Sequence, residues 1–161
     1  MYRLTTLSLA IAGCLTGLAA ASADHHAETP RAIAEAWLEA YSNQDFEGMT
    51  ALMTEDTVFV DPTSFDIAAI TNRIEWQGPD AITSGVGAWG INHGRYTIER
   101  SYESSGRVIF NGHIDVIYGE GEGAQAFRYP ITTIITVADG HVAEHRDYTD
   151  FNGASRIPAP H

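Results

Sequence analysis

At 161 residues the chain has room for one packed core and is too short for two domains. Its charge is strongly acidic: 21 Asp and Glu stand against nine basic residues, every one of them Arg, for a net charge of −12. No basic stripe exists to displace phosphate counterions, which excludes a nucleic-acid partner and an anionic membrane surface.

Residues 1–23 read as an export signal. Arg3 supplies a positive start, Leu4 to Leu18 run apolar and uncharged, and Ala21-Ser22-Ala23 place small residues at a cleavage position. The run is too short to span a bilayer. Export implies a periplasmic or secreted protein. The only cysteine, Cys14, lies in this segment, where Ile11-Ala12-Gly13-Cys14 resembles a lipoprotein box. Lipidation there would tether the chain to a membrane; otherwise the mature protein has no cysteine for disulfide or thiol chemistry.

Residues 24–29 are polar and expected to be loose. Thr29-Pro30 is a helix start, a capping side chain followed by proline at the first turn. Ile33, Trp37, Ala40 and Tyr41 then recur at helical spacing, so they form a core-facing stripe. Trp37 brings a ring N–H that needs a partner if buried. Ser42-Asn43-Gln44-Asp45 interrupts, and Asp45 caps a short second helix through Phe46, Met49 and Leu52. Thr57 to Asp61 reads as a strand stopped by Pro62, its terminal aspartate either starting a turn or serving a function. Residues 65–75 have no clean period and suit a strand or a flap over a cavity. Gly78-Pro79 opens a third helix that runs to about Trp89.

Strands follow over 95–103, 107–118, 125–137 and 141–151, separated by short Gly-containing breaks that read as hairpins. Helices followed by an antiparallel meander make the class α+β. Residues 153–161, with two prolines, are expected to form a loose tail.

Two strands carry a His-x-Asp pair, His113 with Asp115 and His145 with Asp147. Alternation puts each pair on one face, with Thr149 beside the second pair and Arg146, Tyr148 and Asp150 on the other side. A sheet curved around two or three helices encloses a cavity in which Asp61, His113, Asp115 and Asp147 are expected to meet. Three carboxylates around one cavity cannot all ionise freely, so at least one should have a raised pKa. The spacing is not a recognised zinc pattern.

The helix-turn-helix 34–53, the run Thr54-Glu55-Asp56-Thr57-Val58-Phe59-Val60-Asp61-Pro62 and the ending 139–151 resemble the nuclear transport factor 2-like superfamily. The likeness covers residues 30–152 and points to its SnoaL-like members, among them polyketide cyclases, ketosteroid isomerases and limonene-epoxide hydrolases. It implies a cone-shaped antiparallel sheet wrapped around the N-terminal helices and enclosing a pocket. Against the epoxide hydrolases, the two catalytic aspartates fall on Asp147 and Asp115, the arginine between them on His113, the asparagine on Asp61 and the tyrosine on Phe59. Against the ketosteroid isomerases, Asp61 before Pro62 is the general base, and the oxyanion donors fall on Trp37 and Thr132.

The resemblance therefore implies a cofactor-independent acid–base enzyme: an isomerase, cyclase or epoxide hydrolase. Asp61, His113, Asp115 and Asp147 would be catalytic, with Trp37, Phe59, Thr132 and His145 against a small hydrophobic carbonyl or epoxide compound. The alternative is a domain of the same fold that binds a small ligand or a protein without chemistry. In that case His113 and Asp115 satisfy one another and Asp147 binds Arg128 or another arginine. The family likeness also implies a homodimer through the outer sheet face, with Ile135, Arg146 and Tyr148 exposed there.

Overall fold

The computed structural model describes residues 28–67 and 73–159. The expected export segment, with Cys14, lies outside the described residues, as do residues 24–27 of the polar stretch after it.

Helix α1 (Pro30–Ser42) begins as its sequence dictates: the Thr29 hydroxyl accepts the Ala32 N–H at 3.2 Å, and Pro30 occupies the first turn. Asp45 caps α2 (Phe46–Ala51) through the Gly48 N–H. Strand β1 (Met53–Asp61) ends in a short 3₁₀ turn, Ser64–Asp66, and β2 (Ile74–Gln77) returns to pair with β1 before α3 (Pro79–Gly87). The undecided stretch 65–75 is thus a turn and the start of a strand around residues outside the described set. Four long strands follow, β3 (Ile91–Ser104), β4 (Arg107–Tyr118), β5 (Gln125–Ala138) and β6 (His141–Thr149), and then a short β7 (Ser155–Ile157).

The class is α+β, with three helices against a curved, unclosed sheet ordered β2-β1-β6-β5-β4-β3. Two expectations change. The sheet is not wholly antiparallel: β1 lies parallel to β6, with Val60 opposite Arg146. Residues 62–140 separate those two strands, so no tight turn forces them to be antiparallel. The loose tail is also shorter than expected, because β7 pairs with β5 through Ala126, Phe127 and Arg128. Since β6 pairs with β5 only from Ile131 onward, the returning chain covers an otherwise open edge.

Alternation decides which side chains enter the molecule. On β4, Val108, Phe110, Ile114 and Val116 are buried, while Asn111, His113 and Asp115 occupy the opposite face. On β5, Ile131, Thr133, Ile135 and Val137 point inward and Thr132 outward. Ile135 therefore belongs to the core and not to the outer surface expected of it, whereas Tyr148 is exposed there. Near the middle of β4, a Cβ on Gly112 would lie 2.0 Å from the Thr97 carbonyl oxygen. Only glycine fits against the register shift in β3 between Ile98 and Arg100.

The main core fills the space between α1, α3 and the sheet, with Ile33, Trp37 and Tyr41 meeting Phe59, Phe110 and Ile135. A smaller cluster, Ile114, Val116 and Ile131, lies apart from it. No helical stripe fills the space in front of that cluster, and a cavity remains.

Candidate active site

The cavity has a volume of about 210 Å³. Tyr41 reaches it from α1, Asp61 from the end of β1 and Asp147 from β6; Ile114, Val116 and Ile131 supply much of its wall. Its character is apolar, with two carboxylates and the phenols of Tyr41, Tyr118 and Tyr129 set into it.

Asp61 is 4% exposed and is held by the turn that stops β1. Its Oδ1 accepts the Thr63 N–H at 2.9 Å and the Thr63 hydroxyl at 2.6 Å, an aspartate-initiated turn. The Thr149 N–H donates to Thr63 Oγ1 at 2.9 Å, which ties the turn to β6. The Ser64 hydroxyl donates to the Asp61 carbonyl and accepts the Ile74 N–H, which fastens it to β2. Among the described residues Oδ2 has no protein partner, so one oxygen is fixed and the other faces the cavity. Burial pushes the Asp61 pKa above the ordinary 3.8, and the charge of Asp147 adds to that, while the Thr63 hydrogen bonds oppose it.

Asp147 is 3% exposed and is held on both oxygens. The Thr133 hydroxyl donates to Oδ1 at 2.5 Å, and the Tyr96 hydroxyl lies 3.2 Å from Thr133 Oγ1. Thr133 has one proton and gives it to the carboxylate, so Tyr96 is the donor in the second bond. On the other side His145 Nε2 is 2.8 Å from Oδ2. The contact lacks the alignment of a hydrogen bond, and Nε2 has no other partner, so we treat it as an electrostatic contact at close range.

The indole N–H of Trp37 donates to His145 Nδ1 at 2.7 Å. Indole nitrogen can only donate, so Nδ1 carries no proton, and a neutral ring holds its proton on Nε2, facing Asp147. The imidazole is fully buried and stacked on Phe59, with ring centroids 4.3 Å apart and planes 14° apart. Tyr41 packs against it at 4.9 Å. Burial, and then the charge of Asp147, push the Tyr41 pKa well above its usual value. Its phenol stays neutral and can donate a hydrogen bond into the cavity.

Of the residues picked out from the sequence, Asp61 and Asp147 line the cavity. His113 and Asp115 do not; they sit on the outer face of the sheet. Asp115 accepts two hydrogen bonds from Arg128, at 2.7 and 2.8 Å, and one from Arg95 at 3.4 Å. The Arg128 hydrogen bonds hold its pKa below the ordinary carboxylate range. His113 Nδ1 lies 3.4 Å from the Glu99 carboxylate. The pairing of Arg128 with an aspartate therefore occurs, but with Asp115 and not Asp147. A side-chain period of two explains the correction: a shift of one residue along β4 exchanges His113 and Asp115 for Ile114 and Val116.

Thr132 also faces outward, accepting a hydrogen bond from Asn111 Nδ2 at 2.8 Å, and Thr133 takes the inner position. Trp37, Phe59 and His145 do not line the cavity as expected of substrate-binding residues; all three are fully buried behind Asp147 and position it. Tyr41, Thr63, Tyr96 and Thr133 were not picked out as site residues. The Asp-x-Thr spacing was a legible sign for Thr63. The aliphatics at even positions of β4 marked its inner face. Tyr41 carried no such sign, since its place in the helical stripe equally suits a core residue.

A model of the SnoaL-like domain family matches residues 34–145. The chain belongs to the SnoaL-like family. Solved structures share this SnoaL-like fold. A protein described as a SnoaL-like polyketide cyclase from Shewanella denitrificans superposes with a TM-score of 0.65 at 16% identity, covering 76% of this chain and 91% of that one. The Δ5-3-ketosteroid isomerase of a Mycobacterium species gives 0.67 at 17%, covering 81% and 100%. An LEH-like epoxide hydrolase of M. tuberculosis gives 0.59 at 20%, covering 76% and 84%. At these identities the likeness is one of fold. No curated protein matches the chain.

Proposed function

We propose that this SnoaL-like protein is an exported, cofactor-independent acid–base enzyme acting on a small hydrophobic carbonyl or epoxide compound. One observation carries the reading: two buried carboxylates with unlike surroundings share an apolar cavity with a neutral phenol. Export rests on the pattern of residues 1–23.

Asp147 has the surroundings of a base. Thr133, backed by Tyr96, donates to its charged form, and the Nε2 side of His145 lies against it. Asp61 has those of an acid, since burial favours its protonated form and its Oδ2 is open to the cavity. With a carbonyl guest, Asp147 takes a proton from the adjacent carbon. The electron pair of that C–H bond moves into the enolate, whose oxygen accepts hydrogen bonds from Asp61 and Tyr41. Where the guest carries a β,γ double bond, the electron pair extends over a dienolate, and return of the proton to the γ-carbon completes an isomerisation. With an epoxide, Asp147 takes a proton from water, the water oxygen attacks an epoxide carbon, and the opened oxygen receives the Asp61 proton. The apolar wall excludes bulk water and strengthens each of these contacts.

The test is proton exchange at the α-carbon of hydrophobic ketones in D₂O, followed by NMR, beside hydrolysis of hydrophobic epoxides. Activity that falls in Asp147→Asn and Asp61→Asn supports the reading. No exchange and no hydrolysis across such a panel, or activity indifferent to both changes, removes it. A second reading, a binding domain without chemistry, is favoured by the contacts that occupy both Asp147 oxygens. Against it stands Asp61 Oδ2, which has no protein partner among the described residues.

A further inference from the structure

The charge of the cavity is one-sided. Its described lining contains Asp61 and Asp147 and no Arg, Lys or His. His145 is sealed behind Asp147 at 0% exposure, and Arg95 and Arg128 are engaged with Asp115 on the far side of the sheet. A neutral hydrophobic guest would strip water from both carboxylates and give nothing in return. The pair could then be accommodated only by binding a proton.

The rest of the wall favours a cation too. Tyr41, Trp89, Tyr118, Tyr129 and Phe151 all line the cavity. Tyr41 and Trp89 meet at 80° with centroids 6.4 Å apart, and Tyr129 and Phe151 at 69° and 6.0 Å. Rings set at such angles present faces in more than one direction, and aromatic faces attract cations. The hydroxyls of Tyr41 and Tyr118 stay protonated, because burial pushes both pKa values up. Asp61, a residue 4% exposed, lines the same cavity, and among the described residues its Oδ2 has no protein partner.

We infer that the pocket takes a hydrophobic amine as its cation, with the ammonium group beside Asp61 and Asp147 and the hydrocarbon part against the aromatic wall. The inference rests on the cavity being the ligand site and does not require catalysis there. Asp61 is faced by Tyr41 from α1, by Asp147 and His145 from β6, and by Thr63 of its own turn. As the pH falls, Asp61, whose pKa burial raises, gains a proton, and that change weakens a bound cation.

The experiment uses calorimetry on the full chain with two probes, benzyltrimethylammonium, whose charge is permanent, and neutral 4-phenylbutan-2-one. At about pH 8 the cation should bind about tenfold tighter than the ketone, the scale of a desolvated cation–aromatic contact. That ratio should shrink toward unity as the pH is lowered and Asp61 takes up a proton. Asp61→Asn should weaken the cation about tenfold and the ketone less than about twofold. Ile91→Trp, which narrows the cavity, should weaken both probes. The wild-type pH series stands if Asp61→Asn fails to fold. Ketone binding as tight as the cation, a ratio flat with pH, or cation binding indifferent to Ile91→Trp overturns the amine inference. Binding of the ketone alone overturns it while leaving the pocket reading intact; binding of neither overturns both.

Discussion

Two aspartates of this domain follow a histidine at the same spacing, and the sheet gives them opposite surroundings. Asp147 faces inward between His145 and Thr133, away from every arginine described, on the wall of an apolar cavity. Asp115 faces outward into a fork of Arg128 with Arg95 beside it, and its neighbour His113 meets Glu99. Both carboxylates are nearly inaccessible, so burial alone does not separate a reactive group from a structural one. The partners separate them. Arginines pair with Asp115, whereas a hydroxyl and an imidazole, and no described arginine, adjoin Asp147.

The sharpest way to break this comparison is to remove each carboxylate in turn. Asp147→Asn should cut turnover of whichever substrate is found by about 10²- to 10⁴-fold, the scale of a lost general base. Asp115→Asn should leave turnover within about twofold, as for a substitution remote from the reacting groups. Equal losses in the two variants would put the inner and outer faces on the same footing. Tyr41→Phe should lower turnover about 10²-fold, as when one oxyanion donor is removed, with little change in stability. Comparing steady-state rates with urea unfolding separates those two effects.

Trp37→Phe keeps an aromatic ring but leaves the fully buried His145 Nδ1 without its donor. It should cost about 1–3 kcal/mol in urea unfolding, the desolvation penalty of an unpaired buried group. The pH dependence of stability should then show opposite signs for Asp61 and Asp115. The Asp61 pKa is raised, so the folded state holds a proton that the unfolded chain has released. Its contribution is complete below 3.8 and is lost as the pH rises through its folded value. The Asp115 pKa is lowered, so its contribution is complete above 3.8 and is lost as the pH falls through its folded value. Melting curves of Asp61→Asn between about pH 3 and about pH 7 should lack the first component and keep the second. The smallest effect is expected from His113→Ala, within about 0.5 kcal/mol by urea unfolding and without effect on turnover.

Much of this architecture was legible in the linear chain because its signals are local. Thr29-Pro30 starts α1, Asp45 caps α2, Pro62 stops β1, and the Gly-containing breaks separate the strands of the meander. Asp61 and Asp147 stood out for a related reason: Asp61 ends the run Val58-Phe59-Val60 just before Pro62, and Asp147 completes a His-x-Asp pair with His145. The short strand β7 was less legible, since three residues between prolines and glycine carry no period, and only the uncovered edge of β5 gives them a place. The parallel pairing of β1 with β6 also has no local sign.

Chain order, helix starts, hairpins and the two His-x-Asp figures were thus properties of neighbouring residues, and the sequence by itself determined them. Whether His113 and Asp115 faced the cavity was decided only by the tertiary structure. Alternation sets which residues share a face, but the packing of α1 against Val108, Phe110 and Ile135 selects the face that turns inward. The same packing brings Trp37 to His145, 108 residues further along, and so fixes the ring that stands behind Asp147.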